Sequence, residues 1–205
     1  MTQHPTIRTI AGAPVPESLD PKTTALLVID FQNEYFAGRM LIPDGEKALA
    51  NAKRLIARAD VEGMKVYHIQ HVTPAGSPVF AEDSETAAFH RDIQPAADHS
   101  VVRKSSVSVF ASTDLAAQLK QEGVDTLVMS GLMTHACVAG AARDAVPLGF
   151  NVIVASDACA TRDLDTGDGG VVPHAVLHRS SLATIDDTFG DILTTDEVLA
   201  LARRS

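Results

Sequence analysis

Three side chains of complementary chemistry stand near the ends of apolar runs: the carboxylate of Asp30, the amine of Lys104 and the thiol of Cys137. An acid that can take a proton, a cation that can hold negative charge and a sulfur nucleophile together suit covalent hydrolysis. Cys137 is the most informative of them. It lies in TLVMSGLMTHACVAGAAR, Thr126 to Arg143, between an apolar run and a stretch of helical periodicity. A thiol in the first turn of a helix meets unpaired N–H groups and the positive end of the helix dipole, which can lower a cysteine pKa from about 8.5 to roughly 3.5–7.5. The same N–H groups can receive a developing oxyanion. A free cysteine is also a small apolar side chain that packs well beneath a sheet edge, and position alone leaves both readings open.

The elements that must position these groups follow from the pattern of apolar residues. Thr126–Ser130 reads as a strand buried on both faces, Gly131 as its end, and Val138–Leu148 as the helix that follows, stopped by Gly149. Ala25–Asp30 is the first buried strand and ends in its carboxylate, where open α/β sheets bind ligands; an aspartate there also suits a turn cap. Gly45–Gly63 reads as a helix with an apolar stripe of Ala48, Leu49, Ala52, Leu55, Ile56 and Ala59, and Lys65–Gln70 as the second strand. Thr73–Ser100 is a long polar loop with the character of a lid or binding loop. Val101–Val109 holds the next strand, with Lys104 at or just past its end, and Leu115–Glu122 the next helix.

Asn151–Ser156 is a further buried strand, trailed by Asp157 and Cys159, and Cys159 reads as a structural residue. Pro173–Thr184 reads as a helix with Pro173 in its first turn. The last strand is expected within Ile185–Thr194, and Thr194 with Glu197 makes a capping box for a terminal helix. This alternation specifies a three-layer α/β/α protein with a doubly wound, mostly parallel sheet, and three strand ends deliver acid, amine and thiol to one rim. Residues 1–22, with Pro5, Pro14, Pro16 and Pro21, form an irregular arm able to cover a neighbouring subunit, and residues 23–205 a single domain.

The chain has 205 residues, 45% hydrophobic and 21% charged, and a formal net charge of −9, which argues against a nucleic-acid surface. No apolar run reaches the roughly 20 residues of a membrane span, and the N-terminus lacks a signal-peptide pattern, so the expected location is the cytoplasm. Two cysteines cannot build a disulfide framework. Among the eight histidines, His68 and His71 point to opposite faces of a strand, and His174 with His178 shares a helical face but lacks an accompanying carboxylate pattern such as HExxH. No metal and no cofactor is therefore expected, and a small molecule is the expected partner.

With Asp30, Lys104 and Cys137 assembled, the chain resembles the isochorismatase-like cysteine hydrolases. The resemblance rests on ALLVIDFQ at Ala25–Gln32, RKSSVSVF at Arg103–Phe110, SGLMTHACV at Ser130–Val138 and VIVASDACATRD at Val152–Asp163, and spans about Thr24 to Leu201. It implies a triad in which Asp30 takes the thiol proton, Lys104 orients and polarises, and Cys137 attacks. It implies a cis Leu132–Met133 peptide that aims the N–H groups of Met133 and Cys137 at the oxyanion, and a homo-oligomer. HVTPAGS at His71–Ser77 lacks the Asp-x-His pattern of the family's zinc-dependent nicotinamidases, and Ala141 stands where relatives often carry Thr or Ser. Phe31, Phe36, Phe110 and His135, with the Thr73–Ser100 loop, are the expected pocket walls. The function so implied is hydrolysis of a small amide, ureide or carbamoyl C–N bond through a thioester on Cys137. Vinyl ether hydrolysis led by Asp30, and a non-catalytic binding or assembly role, stay open beside it.

Overall fold

The computed structural model describes residues 4–204. Its centre is a six-stranded sheet, all of whose pairings are parallel. The strands are β1 (Thr24–Ile29), β2 (Lys65–His71), β3 (Ser100–Lys104), β4 (Thr126–Leu132), β5 (Asn151–Ala160) and β6 (Asp191–Leu193). They lie in the order β3-β2-β1-β4-β5-β6, so the chain winds outward from β1 in one direction, then returns to start again at β4. Between β1 and β4 the connections diverge and leave a crevice at the carboxyl ends of the strands.

Both faces of the sheet are covered, as the unbroken apolar runs predict. Leu27, Ile29, Leu127 and Met129 face a core closed by α2 (Leu115–Gln121), α3 (Ala139–Ala145) and α4 (His174–Thr188). Their alternate neighbours Leu26, Val28 and Val128 face a second core beneath α1 (Gly45–Glu62) and α5 (Thr195–Ala200). The α1 stripe of Ala48, Leu49, Ala52, Leu55 and Ala59 is buried, and Gly63 ends the helix at φ +70°, a conformation glycine adopts without strain. The Thr194–Glu197 capping box is formed.

Four boundaries differ from the sequence reading. Gly131 lies inside β4 rather than at its end, because its backbone continues the ladder opposite Ile29 and Cys159. β5 runs on to Ala160, its register against β4 shifting between Met129 and Gly131; within the extra length, Asp157 accepts from the Thr195 N–H and hydroxyl at 2.6 and 2.7 Å. α4 extends to Thr188 and takes in Ile185, whose burial beside Leu182 at helical spacing holds it in the helix rather than the final strand. Pro173 caps α4 from outside its first turn.

The arm is anchored to its own domain and is not irregular throughout. Ile7–Ile10 forms one helical turn against α4, with the Ile7 N–H on Asp187 at 2.9 Å and Arg8 paired to Asp191 at 2.6 Å. Ser18–Leu19 pairs in parallel with Ala202–Arg203. Among the described residues no helix is long and apolar enough to cross a membrane.

The long loop is tied down by a chain of three side chains. His68 of β2 meets His99 Nδ1 through Nε2 at 3.2 Å, and His99 Nε2 meets Asp60 of α1 at 2.9 Å. The Ala96 N–H donates to His99 Nδ1, so that nitrogen is bare and His68 Nε2 is the donor. His68 Nδ1 is then an unprotonated atom, buried without a partner among the described residues. A proton there would be stranded, and burial, reinforced by His99, pushes the His68 pKa down to about 4. The unfolded chain therefore binds the proton first as pH falls. Stability present above pH 6.5 is expected to be lost progressively toward pH 4, by about 2–3 kcal/mol. Urea melts across that interval check it, and an unchanged acid slope in His68→Gln would assign the loss elsewhere.

Candidate active site

Asp30 follows β1 directly and adopts a left-handed backbone, φ +55°, uncommon for a residue with a Cβ. Its N–H donates to the Ile69 carbonyl of β2 at 3.0 Å, and its carbonyl accepts from the Gln32 N–H at 2.8 Å. Gln32 is fully buried and clamps the rim. Its amide donates to the carbonyls of His71 and Ala87 at 2.8 and 2.7 Å, and its oxygen accepts from the His71 N–H at 2.8 Å. The ends of β1 and β2 and the long loop are thus fixed to one another. The loop is further held by Asn33 N–H on the Ala88 carbonyl and His90 N–H on the Phe31 carbonyl.

Lys104 ends β3, level with His71 of β2. Its ammonium lies 2.9 Å from Asp30 Oδ2 with both side chains fully excluded from solvent, and 3.3 Å from Cys137 Sγ. The Asp30 contact is one of charge at ion-pair distance; neither carboxylate oxygen accepts a well-directed hydrogen bond from the described residues. Two further acceptors reach Lys104 Nζ, the Ser106 carbonyl at 3.1 Å and His71 Nδ1 at 2.9 Å.

Cys137 sits in a wide turn, Thr134–Val138, between β4 and α3, with 6% of its surface exposed. The Val138 N–H reaches back to the Met133 carbonyl at 3.3 Å, which makes this turn a π-helical one. The Leu132–Met133 peptide before it is cis. The thiol does not have the lowered pKa that a helix start alone suggests. Burial and then the Asp30 charge push it up, with Lys104 opposing, and burial raises Asp30 as well. Both groups hold a proton more tightly than in water, beside one buried ammonium.

The structure thus brings Asp30, Lys104 and Cys137 together. Phe31 is 1% exposed and packs in the core beneath α1, and Phe110, half-buried, stacks on Phe150 at 6.0 Å against the opposite core. Phe36 stays half-buried, tilted on His90 at 4.4 Å. His135 bonds Thr161 at 2.6 Å. Beside the cysteine turn opens a cleft of about 320 Å³, lined by Asp44, Asn51, Asp157, Thr161, His174 and His178 among others. Cys137 is not in its wall. The link runs through Thr134, bonded to His178 at 2.9 Å, and through His135. His174 is held by Asp163 at 2.7 Å, and among the described residues no group of three or more His, Cys, Asp or Glu is arranged to hold a metal ion.

Sequence reasoning missed Gln32, Ser106 and His71 as parts of this assembly. His71 had a legible signal: it ends a strand on the same rim as Asp30 and Lys104.

A parallel sheet in this order, with its buried ionic cluster at the crevice between β1 and β4, defines a three-layer α/β/α protein of the isochorismatase-like type. The isochorismatase domain family matches residues 24–197, and the chain belongs to that family, whose activity is hydrolytic. It is 36% identical to the uncharacterized isochorismatase family protein YddQ of Bacillus subtilis, over 86% of this chain and 99% of that one. It is 30% identical to maleamate amidohydrolase of Pseudomonas putida, over 87% of this chain and 86% of that one. Its fold matches a cysteine hydrolase from Pseudomonas syringae with a TM-score of 0.86 and 25% identity, over 97% of both chains.

Proposed function

We propose that the protein hydrolyses the C–N bond of a small neutral or monoanionic amide, ureide or carbamoyl compound through a thioester on Cys137. The observation that carries this reading is one buried ammonium, Lys104, in contact with both a carboxylate and a thiol. Amidohydrolase relatives support it. Asp30 takes the Cys137 proton as sulfur attacks the carbonyl carbon, and the oxygen becomes an oxyanion facing the N–H groups of Met133 and Cys137. Asp30 returns that proton to the nitrogen as the C–N bond breaks, and ammonia or an amine leaves. Water then adds to the thioester with Asp30 as base. Collapse of the adduct releases the acid and the Cys137 thiolate, which recovers its proton from Asp30.

Ammonia release from a panel of such compounds, with intact mass recorded during turnover, tests the reading. Cys137→Ala is expected to lose about a thousandfold or more in kcat/KM, and the parent to carry an acyl adduct on Cys137. Turnover that survives in Cys137→Ala would overturn the thioester. Pyruvate release from isochorismate in that variant would move the chemistry to vinyl ether hydrolysis led by Asp30.

A further inference from the structure

We propose that His71 is a positioning residue, which with the Ser106 carbonyl anchors Lys104 so that a single ammonium proton serves the Asp30–Cys137 pair; this rests on Cys137 being the nucleophile. The argument begins with a count of donors. An ammonium has three N–H bonds and no acceptor. Lys104 Nζ has four neighbours able to accept: His71 Nδ1 at 2.9 Å, Ser106 O at 3.1 Å, Asp30 Oδ2 at 2.9 Å and Cys137 Sγ at 3.3 Å. The first two exchange no proton in the proposed reaction, so their acceptor strength changes little during it. If they occupy two N–H bonds, the third is left for Oδ2 and Sγ together. That third N–H already reaches Sγ at 3.3 Å, with Oδ2 at 2.9 Å in charge contact; when the thiol proton passes to Asp30, negative charge moves from Oδ2 onto Sγ, the atom that N–H already faces. Lys104 thereby stabilises whichever of the two atoms is charged without leaving its place.

This arrangement needs His71 to be neutral and to carry its proton on Nε2, because Nδ1 must be bare to accept from an ammonium. Its surroundings suit that state. The His71 N–H and carbonyl are both held by Gln32, which fixes the backbone, and the Phe80 ring packs edge-on at 5.1 Å. The titratable groups that face the ring are Lys104 from β3 and, beyond it, Asp30 from the end of β1 and Cys137 from the turn after β4. Burial and then the Lys104 charge hold the His71 pKa below its ordinary value, with Asp30 and the Ser106 carbonyl opposing. A second proton on His71 would remove the acceptor and set two cations at the 2.9 Å now spanned by a hydrogen bond.

The test measures alkylation of Cys137 by iodoacetamide, located by peptide mass, as a function of pH in the parent, His71→Asn and His71→Leu. Asparagine places an oxygen near the Nδ1 position but does not titrate; leucine offers no acceptor. His71→Asn is expected to stay within a few-fold of the parent at neutral pH, and its acid limb to shift to lower pH. His71→Leu is expected to fall roughly tenfold or more at pH values above the parent's acid limb, the cost of a lost charge-assisted bond, and to converge with the parent below it. An acid limb unchanged in His71→Asn would assign it to Asp30 and overturn the proposal, as would a parent-like rate in His71→Leu. Imidazole nitrogen NMR of the parent reads the tautomer without any variant, and a proton found on His71 Nδ1 would also overturn it. A parent Cys137 inert to iodoacetamide and to every amide would instead remove the nucleophile reading on which the proposal stands.

Discussion

Lys104→Met is expected to lose about 3–5 kcal/mol of folding stability at neutral pH, the usual consequence of stranding one member of a buried ion pair. Methionine fills nearly the same volume, so the loss is not one of packing. What remains is a carboxylate with no solvent contact and, among the described residues, no well-directed donor. Asp30 then has to fold as the protonated acid, with a pKa raised further above its unfolded value. The folded state binds the extra proton, so the variant's deficit is smallest in acid and grows as pH rises through that interval. Asp30→Asn in the Lys104→Met background is expected to restore much of the stability while leaving the protein inactive. Urea melts of the parent, both single variants and the double variant give the coupling directly. A coupling near zero would show that the two charges are not energetically linked.

Gly131→Val is expected to cost about 3 kcal/mol and to lower activity by more than the fraction unfolded explains. A Cβ at this position would stand 2.5 Å from the Ile29 Cβ and 2.6 Å from the Ile29 carbonyl oxygen, much closer than such atoms can approach. The obstruction is backbone as well as side chain, so rotation alone cannot clear it, and β1 must move away from β4. Those strands carry Asp30 and the Cys137 turn immediately beyond the clash, where small displacements of the proposed reacting groups are costly. Urea midpoint and kcat/KM measured together test this. A parent-like value of both would mean that the two strands have slack the packing does not show.

Much of the fold was legible because both faces of the sheet are covered. Runs such as ALLVI carry no polar alternation, and the intervening helices leave apolar stripes that only a parallel, doubly wound arrangement buries. Asp30 and Lys104 were legible for the same reason, since a polar residue at the end of a buried strand is delivered to the rim. Features decided by tertiary contact were not. Gly131 read as a break because the reason for its missing side chain is Ile29, about 100 residues away in the chain. The extension of β5 past Asp157 depends on Thr195, and Ile185 suits helix or strand until Leu182 is seen buried beside it. The cysteine showed the limit most clearly: a helix start argues for a lowered pKa, and burial against Asp30 reverses that sign. His71 gave its position away but not its partner, which follows only from the register of β2 on β3.

The placement of β1 beside β4 also bears on how the chain acquires its activity. Every sheet contact among β1, β2 and β3 forms within the first 104 residues, and the ends of these strands already bear Asp30 and Lys104. The thiol arrives only when β4 docks, Thr24 pairing with Thr126, a closure over about 100 residues that carries a high entropic cost and belongs late in assembly. A half-assembled molecule would hold its acid and its amine but leave Cys137 on an undocked segment, open to oxidation or to exchange with another chain. Recovery of this protein from denaturant should therefore depend on a reductant, with enzymatic turnover returning in step with the last phase of refolding rather than with the first appearance of secondary structure.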